Sequence, residues 1–205
     1  MKIVVVRHAH RDDDANPHLY NPENRNNNCP ISKKGQRETN LKWLTYFEDH
    51  HDKLVNIYVS PFLRAKQTAN IISNCYESYF GEKPINIIDY NFCEGQNAKL
   101  PCFEDSLIKE LTDNGIKIGE TLKDIKNRVK ASLNKIITTH DKNSTVMIVA
   151  HGIICGAILH VLLKDVDFHD DSRKDAVKFN VGDHCTLEQI NDEWEIVDSS
   201  NIISK

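Results

Sequence analysis

The sequence lacks any apolar run that approaches the roughly 20 residues needed for a transmembrane helix. Before Arg7 there are only four consecutive apolar residues, 3–6, far fewer than the apolar region of a signal peptide contains. We therefore expect a cytoplasmic protein that has no membrane partner. The short run at residues 2–6 predicts a buried β-strand.

An excess of positive charge is also missing. The chain has 26 Lys and Arg against 30 Asp and Glu, which gives a formal net charge of -4. Proteins that bind nucleic acid across much of their surface are usually basic, so the charge disfavours a nucleic-acid partner. The electrostatic field of this net negative charge also repels an anionic substrate slightly. Any anion site must therefore be a local cluster of arginine and histidine side chains.

No two of the six cysteines have the CxxC spacing that is common in zinc sites. His50 and His51 lie beside Asp49 and Asp52, but adjacent residues on a helix point to different faces and do not converge on one ion. The sequence therefore predicts reduced cysteines that pack as small side chains. It predicts no metal site and no cofactor.

The 205 residues are enough for one globular domain and too few to demand two, so we expect a single domain over residues 1–205. Short apolar runs alternate with longer amphipathic segments, which indicates βαβ units and an α/β fold with a mostly parallel sheet. The run at 145–150 is almost entirely apolar, which is typical of a central strand. The predicted strands are residues 2–6, 55–59, 85–89, 145–150, 184–190 and 194–198, the last two forming an edge hairpin.

Three predicted helices have recognisable starts. Ser32 is a suitable N-cap for the first. Ser60 and Pro61 are typical of a helix that has serine as N-cap and proline at its first position. Thr121 and Asp124 have the spacing of a capping box before a long amphipathic helix.

In the first of these helices Leu41, Leu44 and Phe47 recur at helical spacing, which predicts the buried face. Two further helices are expected at residues 104–114 and 152–163. The polar, asparagine-rich stretch at 12–28 contains two prolines and predicts a long loop.

Polar side chains follow the predicted strands at the edge where α/β sheets bind ligands. Arg7 and His8 end the first strand, and Arg64 lies in the first turn after the second. The third strand leads towards Glu94, and the strand at 145–150 is followed directly by His151. We expect these two histidines, two arginines and one carboxylate to converge at one edge of the sheet.

This set of side chains suits phosphoryl transfer. The transferred group spreads negative charge over three oxygens, so catalysis needs fixed cationic donors. The planar fork of arginine binds two phosphate oxygens at once. An imidazole can attack phosphorus and hold it as phosphohistidine, and a carboxylic acid can protonate the leaving alkoxide. Arg64 also lies near a helix N-terminus, which favours anions.

The chain resembles the histidine phosphatase superfamily, which has the phosphoglycerate-mutase-like fold. The R-H-G signature of that family is Arg7-His8-Ala9 here, and its S-P-L-x-R-A-x-Q-T-A motif is matched by SPFLRAKQTA at 60–69. The other matches, in the family order, are PISKKGQ at 30–36, GET at 119–121, AHG at 150–152 and NVGDHCTLEQI at 180–190.

The resemblance implies a three-layer α/β/α sandwich and a metal-independent phosphatase that hydrolyses phosphomonoesters. In that family the histidine at the position of His8 is the nucleophile that becomes phosphorylated. Arg7, Arg64 and His151 are then expected to surround the phosphoryl group. The placement of Arg11 is similar to the R-H-G-E-R subgroup, which includes tyrosine-phosphatase-like regulators, and implies a further phosphate contact.

Glu94 matches the family's proton donor to the leaving group, with Glu104 and Asp105 as alternative candidates because this region is less regular than the other motifs. Ala9 departs from the family glycine. If the backbone at this position has positive φ or approaches the phosphate closely, alanine costs about 1 kcal/mol and slows catalysis.

Two other functions stay open at this point. A phosphoglycerate-type mutase must retain the phosphorylated enzyme, and such family members usually carry an E-R-H-Y-G-type segment that residues 90–101 lack. A non-catalytic phosphate-binding scaffold is favoured by Ala9 and disfavoured by the retained Arg7 and His8. The expected partner is a small phosphorylated substrate or a phosphoprotein, bound at residues 12–30 and 95–118. The sequence carries no signal for a particular substrate or oligomeric state.

Overall fold

The fold is built on a mixed six-stranded sheet. The structure is a computed structural model that describes residues 1–20, 28–95, 105–163 and 179–200. Each strand is a short run rich in β-branched or aromatic residues. The strands are β1 (Lys2–Arg7), β2 (Leu54–Val59), β3 (Ile85–Ile88), β4 (Thr145–Ala150), β5 (His184–Ile190) and β6 (Glu193–Ser199).

The strand order is β3-β2-β4-β1-β5-β6. The first four strands of this order are parallel, as their helical connections require, whereas β5 and β6 are antiparallel and form the edge hairpin that the sequence predicted. Every residue of β4 is buried, which confirms its central position. The sheet is therefore mostly parallel.

The described residues form six α-helices between these strands. The helices are α1 (Asp12–Ala15), α2 (Lys33–His50), α3 (Leu63–Phe80), α4 (Asp105–Asp113), α5 (Leu122–Thr139) and α6 (Gly152–Leu163). The Ser32 side chain accepts a hydrogen bond from the backbone N–H of Gly35, and Thr121 and Asp124 form the complete capping box. Both predicted helix starts are confirmed.

The helices cover both faces of the sheet, because alternate side chains of each strand point to opposite faces. Val4 and Val6 of β1 pack into a core with α2 and α3. Ile3 and Val5 pack into a second core with α5 and α6. The three-layer α/β/α sandwich is confirmed.

Two predictions about helices were wrong in detail. Helix α3 begins at Leu63, and Phe62 rather than Ser60 is its N-cap. The backbone N–H of Ser60 instead donates to the Val149 carbonyl at 3.0 Å, so the chain is still extended beside β4 when it reaches Pro61. Because the ladder of β2 continues to Ser60, the Ser60 hydroxyl is available for another partner.

The buried face of α2 also differs from the prediction. Leu41 is 69% exposed, whereas Trp43, Tyr46 and Phe47 form part of the core. Aromatic side chains bury more area than leucine, and their spacing determines which face of the helix turns inward. The predicted loop at 12–28 begins with α1 and a 3₁₀ turn at Pro17–Leu19, and residues 21–27 of it lie outside the described part of the chain.

Cys29, Cys75, Cys93, Cys155 and Cys185 are all buried and not disulfide-bonded, as predicted for the cysteines that the structure describes. No helix in the described ranges is both long enough and apolar enough to cross a membrane.

Gly35, in the first turn of α2, supports the segment that follows β1. A Cβ atom at this position would lie 2.6 Å from the backbone oxygen of His10, and the same oxygen accepts a hydrogen bond from the Ser32 N–H at 2.8 Å. We expect Gly35→Ala to lower the free energy of unfolding by about 1–3 kcal/mol, because backbone cannot move aside as a side chain can. Urea denaturation measures this loss.

The matched control is Gly81→Asn at the end of α3. Gly81 has φ 77° and no atom within 4 Å of an added Cβ, and asparagine accepts this left-handed conformation. The control should stay within about 0.5 kcal/mol of the parent. A loss in Gly35→Ala no larger than in the control would contradict the close approach of α2 to His10.

Candidate active site

The register of the three central strands brings the predicted site residues together. Arg7 pairs with Ala150 across β1 and β4, so His8 and His151 follow adjacent positions of neighbouring parallel strands. Their ring centroids are 5.2 Å apart. Ser60 follows β2 on the other side of β4. The site therefore lies at the carboxyl edge of the sheet, as predicted.

His8 is held as a neutral imidazole. Its Nδ1 lies 2.8 Å from the Ala9 carbonyl oxygen, which can only accept, so Nδ1 carries the proton and Nε2 has the lone pair. The ring is 2% exposed, and burial lowers the pKa of His8 well below 6.5 with help from the positive charges of Arg64 and Arg7. A neutral imidazole, which keeps a lone pair on one nitrogen, is the form that can attack phosphorus.

His151 is also neutral, but its proton is on Nε2, whereas that of His8 is on Nδ1. An Arg64 Nη2 donates to His151 Nδ1 at 3.2 Å, and a guanidinium can only donate. Nε2 must therefore hold the hydrogen, which it donates to Ser60 Oγ at 2.7 Å. Burial and then the nearby Arg64 lower the pKa of His151 well below 6.5.

Arg64 lies at the centre of the site with its side chain completely buried. It contacts the carboxylate of Glu94, and its guanidinium carbon lies 4.7 Å from the centre of the Phe62 ring. Burial lowers the pKa of Arg64 and the Glu94 carboxylate opposes this shift, so the guanidinium stays charged. A buried cation of this kind needs an anionic partner, and a phosphate can take that place.

Arg7 is fixed against the start of α6. Its Nη1 donates to the Phe179 carbonyl oxygen at 2.5 Å, and its guanidinium carbon lies 3.3 Å from where a Cβ of residue 152 would be. Glycine at position 152 therefore allows the Arg7 guanidinium to lie flat against the backbone that follows His151. The arrangement places two guanidinium groups and two imidazoles around one edge of the sheet.

The sequence profile of the histidine phosphatase superfamily (branch 1) matches residues 3–201, nearly the whole chain. The chain belongs to the histidine phosphatase superfamily. This membership makes it a phosphatase or a mutase-like enzyme in general terms. No curated protein matches the chain.

Solved structures of the superfamily fold are similar over almost their full length. YhfR from Bacillus stearothermophilus is 18% identical with a TM-score of 0.67, covering 99% of this chain and 98% of its own. A mycobacterial glucosyl-3-phosphoglycerate phosphatase complexed with VO3 is 15% identical with a TM-score of 0.65, covering 98% and 99%. The ecdysone phosphate phosphatase of Bombix mori, complexed with tungstate, is 15% identical with a TM-score of 0.64, covering 100% and 95%. At these identities the likeness shows the fold.

Glu94, the predicted proton donor, lies beside Arg64 and His151. Its side chain is 35% exposed, contacts Arg64, and has Oε2 3.8 Å from His151 Nδ1. Of the alternative donors, Asp105 is exposed at the first residue of α4, and Glu104 lies outside the described residues. Glu94 is thus the candidate whose contacts with the site the structure describes.

Arg11 lies at the rim and is held by a residue that the sequence analysis missed. Its Nε and Nη2 donate to the two carboxylate oxygens of Asp13 at 2.8 and 2.5 Å. Asp13 is buried and also accepts a hydrogen bond from the Cys29 thiol at 3.1 Å. Asp13 is one of three consecutive aspartates, and nothing in the sequence distinguished it from its neighbours.

Ala9 fits its position without backbone strain. It is not among the residues with positive φ in the described part of the chain, so the conformational cost that the missing glycine could have caused does not arise. The Ala9 N–H donates to Thr68 Oγ1 at 3.0 Å, and the Thr68 hydroxyl donates in turn to the Arg64 carbonyl. Thr68 is thus a second residue that sequence reasoning missed, although it lies in the 60–69 motif.

The neutral, buried histidines make stability depend on pH. Burial lowers the pKa of His8 and His151 in the folded chain below the ordinary value of 6.5. As the pH falls through about 6.5, the unfolded chain takes up protons that the folded chain does not, so the free energy of unfolding falls. Each such histidine contributes a slope of up to about 1.4 kcal/mol per pH unit. We expect His8→Asn to reduce this slope in urea unfolding measured from about pH 7 to about pH 5.

The control is His18→Asn, which removes an exposed histidine. The same slope in His8→Asn, the control and the parent would show that His8 is not kept neutral by the fold.

Proposed function

We propose that the chain is a metal-independent phosphatase that hydrolyses phosphomonoesters through a phosphohistidine on His8. The observation that carries this proposal is the tautomer of His8. The Ala9 carbonyl holds the proton on Nδ1, and the lone pair of Nε2 lies in a site that Arg7 and Arg64 make positive. A nucleophile and its charge-stabilising donors are thus present together.

In the first step Nε2 of His8 attacks phosphorus and the bond between phosphorus and the ester oxygen breaks. The phosphoryl oxygens bind Arg7 and Arg64, which are donors fixed before the substrate arrives. The same oxygens compete with Glu94 for Arg64, and the released Glu94 carboxylate takes up a proton from solvent, which it then delivers to the leaving oxygen. His8 becomes phosphohistidine and the alcohol departs.

In the second step water attacks the phosphohistidine. The Glu94 carboxylate takes a proton from that water, so the acid of the first step is regenerated. The bond from phosphorus to Nε2 breaks, inorganic phosphate leaves and neutral His8 returns. His151 and Arg11 complete the ring of groups around the phosphoryl oxygens in this proposal.

The substrate class in the proposal is a small phosphorylated compound or a phosphoprotein. The names of the structural neighbours include a glucosyl-3-phosphoglycerate phosphatase, an ecdysone phosphate phosphatase and a protein histidine phosphatase, which supports a phosphorylated substrate in general. The cytoplasmic location and the single domain that the sequence predicts stay predictions.

The first test uses p-nitrophenyl phosphate at mildly acidic pH in the presence of EDTA. We expect hydrolysis that EDTA does not reduce, and a loss on the order of 10³-fold or more in His8→Ala, because the covalent route needs the imidazole. The matched control, His50→Ala, removes an exposed histidine at the last residue of α2, outside the predicted substrate-binding segments, and should keep the parent rate.

No hydrolysis across a panel of phosphoesters would favour the phosphate-binding scaffold. Phosphoglycerate mutase turnover well above hydrolysis would favour the mutase. The absence of the E-R-H-Y-G-type segment from residues 90–101 is the reason that we place hydrolysis first.

The second test identifies the acid. A leaving group that is already stable as an anion needs no proton, so Glu94→Gln should spare p-nitrophenyl phosphate and slow an alkyl phosphate by about 10²-fold or more in kcat. Asp105→Asn is the control, since it neutralises the alternative carboxylate. Equal losses on both substrates in Glu94→Gln, or a selective loss in Asp105→Asn, would move the role away from Glu94.

A further inference from the structure

An arginine on α5, Arg128, has a mostly buried side chain that holds the backbone carrying Glu94. Arg128 donates from Nη2 to the Cys93 carbonyl oxygen at 3.0 Å and from Nη1 to the Asn91 carbonyl oxygen. The Cys93 carbonyl belongs to the peptide bond that Glu94 shares with its neighbour. The guanidinium therefore fixes the peptide plane from which the Glu94 side chain extends.

The orientation of this guanidinium is fixed in turn by a carboxylate. Arg128 Nε and Nη2 donate to the two oxygens of Glu120 at 2.7 Å each. The side chains are 10% and 2% exposed, respectively, so this is an ion pair sheltered from solvent. A bidentate pair holds the guanidinium plane, and its remaining donors then face the carbonyls of Asn91 and Cys93.

Helix α5 also contacts the segment on both sides of Glu94. A Cβ on Gly95 would lie 2.8 Å from Cδ1 of Ile125, so the backbone after Glu94 rests directly against the helix. Before Glu94, the Ser132 hydroxyl donates to the Asp89 carboxylate, which also accepts from the Asn91 N–H. The residues that flank Glu94 are fixed, whereas its own side chain is partly exposed.

From this arrangement we infer that the Glu120–Arg128 pair is a positioning device for the proton donor of the reaction. The inference rests on the proposed role of Glu94. Glu94 must leave Arg64 when phosphate binds and still reach the leaving oxygen. Its side chain therefore moves while its backbone stays fixed. Neither Glu120 nor Arg128 contacts the reacting atoms in this scheme. They act through the position of Glu94, where an error of about 1 Å is expected to reduce the rate by up to 10²-fold.

The test variant is Glu120→Gln/Arg128→Met. It removes both charges together, which avoids leaving one charge in a buried place and protects the fold. We expect kcat on an alkyl phosphate to fall by about 10-fold or more, while kcat on p-nitrophenyl phosphate changes by less than about 3-fold. Lys130→Met is the matched control, because it removes an exposed cation from the same helix. It should leave both substrates at the parent rate.

A second comparison separates positioning from a general effect on folding. In the Glu94→Gln background the two substitutions should cause no further selective loss on the alkyl phosphate, since there is no acid left to position. Arg128→Lys, which keeps the charge but cannot make the same four contacts, should give a partial loss with the same selectivity.

The outcomes distinguish this inference from the proposal on which it rests. Equal losses on both substrates in the double variant and in Arg128→Lys would show a structural role only and overturn the inference. If Glu94→Gln is selective but the double variant is not, the inference fails and Glu94 remains the acid. If Glu94→Gln itself shows no selectivity, both the acid assignment and the positioning role fail.

Discussion

The pairing of β1 with β4 is the constraint on which the rest of the site depends. Their parallel register sets Arg7 opposite Ala150. The backbone N–H of His8 then donates to the Ala150 carbonyl at 2.9 Å. A shift of one residue would turn His8 away from His151 and exchange the two cores. Both strands are buried on both faces, so such a shift would place side chains of the wrong size and shape in each core. The catalytic geometry is thus a consequence of ordinary sheet packing.

The electrostatics of the site follow from the same packing. Burial favours the neutral form of both histidines, and the hydrogen bonds from His8 to Ala9 and from Arg64 to His151 then select opposite tautomers. Arg64 keeps its charge because Glu94 is close. The site therefore combines the Arg64–Glu94 ion pair with two neutral rings. A phosphate dianion adds negative charge where the fold already provides positive charge, and this favours its binding.

Much of the site could be predicted because its residues lie at fixed places in simple patterns. His8 and His151 directly follow β1 and β4, and Arg64 lies in the first turn of the helix after β2. Parallel strands bring their carboxyl ends to one edge whatever the remaining contacts are. The capping box at Thr121 could be predicted for the same reason, since capping depends on residues three positions apart. These features can be predicted from local sequence periodicity and from the geometry of parallel sheets.

The parts that could not be predicted depend on distant contacts. Ser60 fits a helix cap by its sequence, yet its hydroxyl bonds to His151, 91 positions away. The pairing of Arg11 with Asp13 requires a buried environment that three consecutive aspartates do not reveal. Arg128 looks like one more solvent-exposed cation on an amphipathic helix, and only the packing of α5 brings it to the Asn91 and Cys93 carbonyls.

The strand order has a consequence for how such a chain can change over evolution. The three strands that supply His8, Ser60 and His151 lie in the interior of the sheet, and the edges are formed by β3 and β6. The chemistry is therefore built on the least tolerant part of the fold, whereas the exposed positions of the segments at 12–20 and 105–118 lie outside the sheet and can accept substitutions. New substrate preferences can arise in these segments while the catalytic centre stays unchanged. A superfamily with one reaction centre and many different substrates is the expected result.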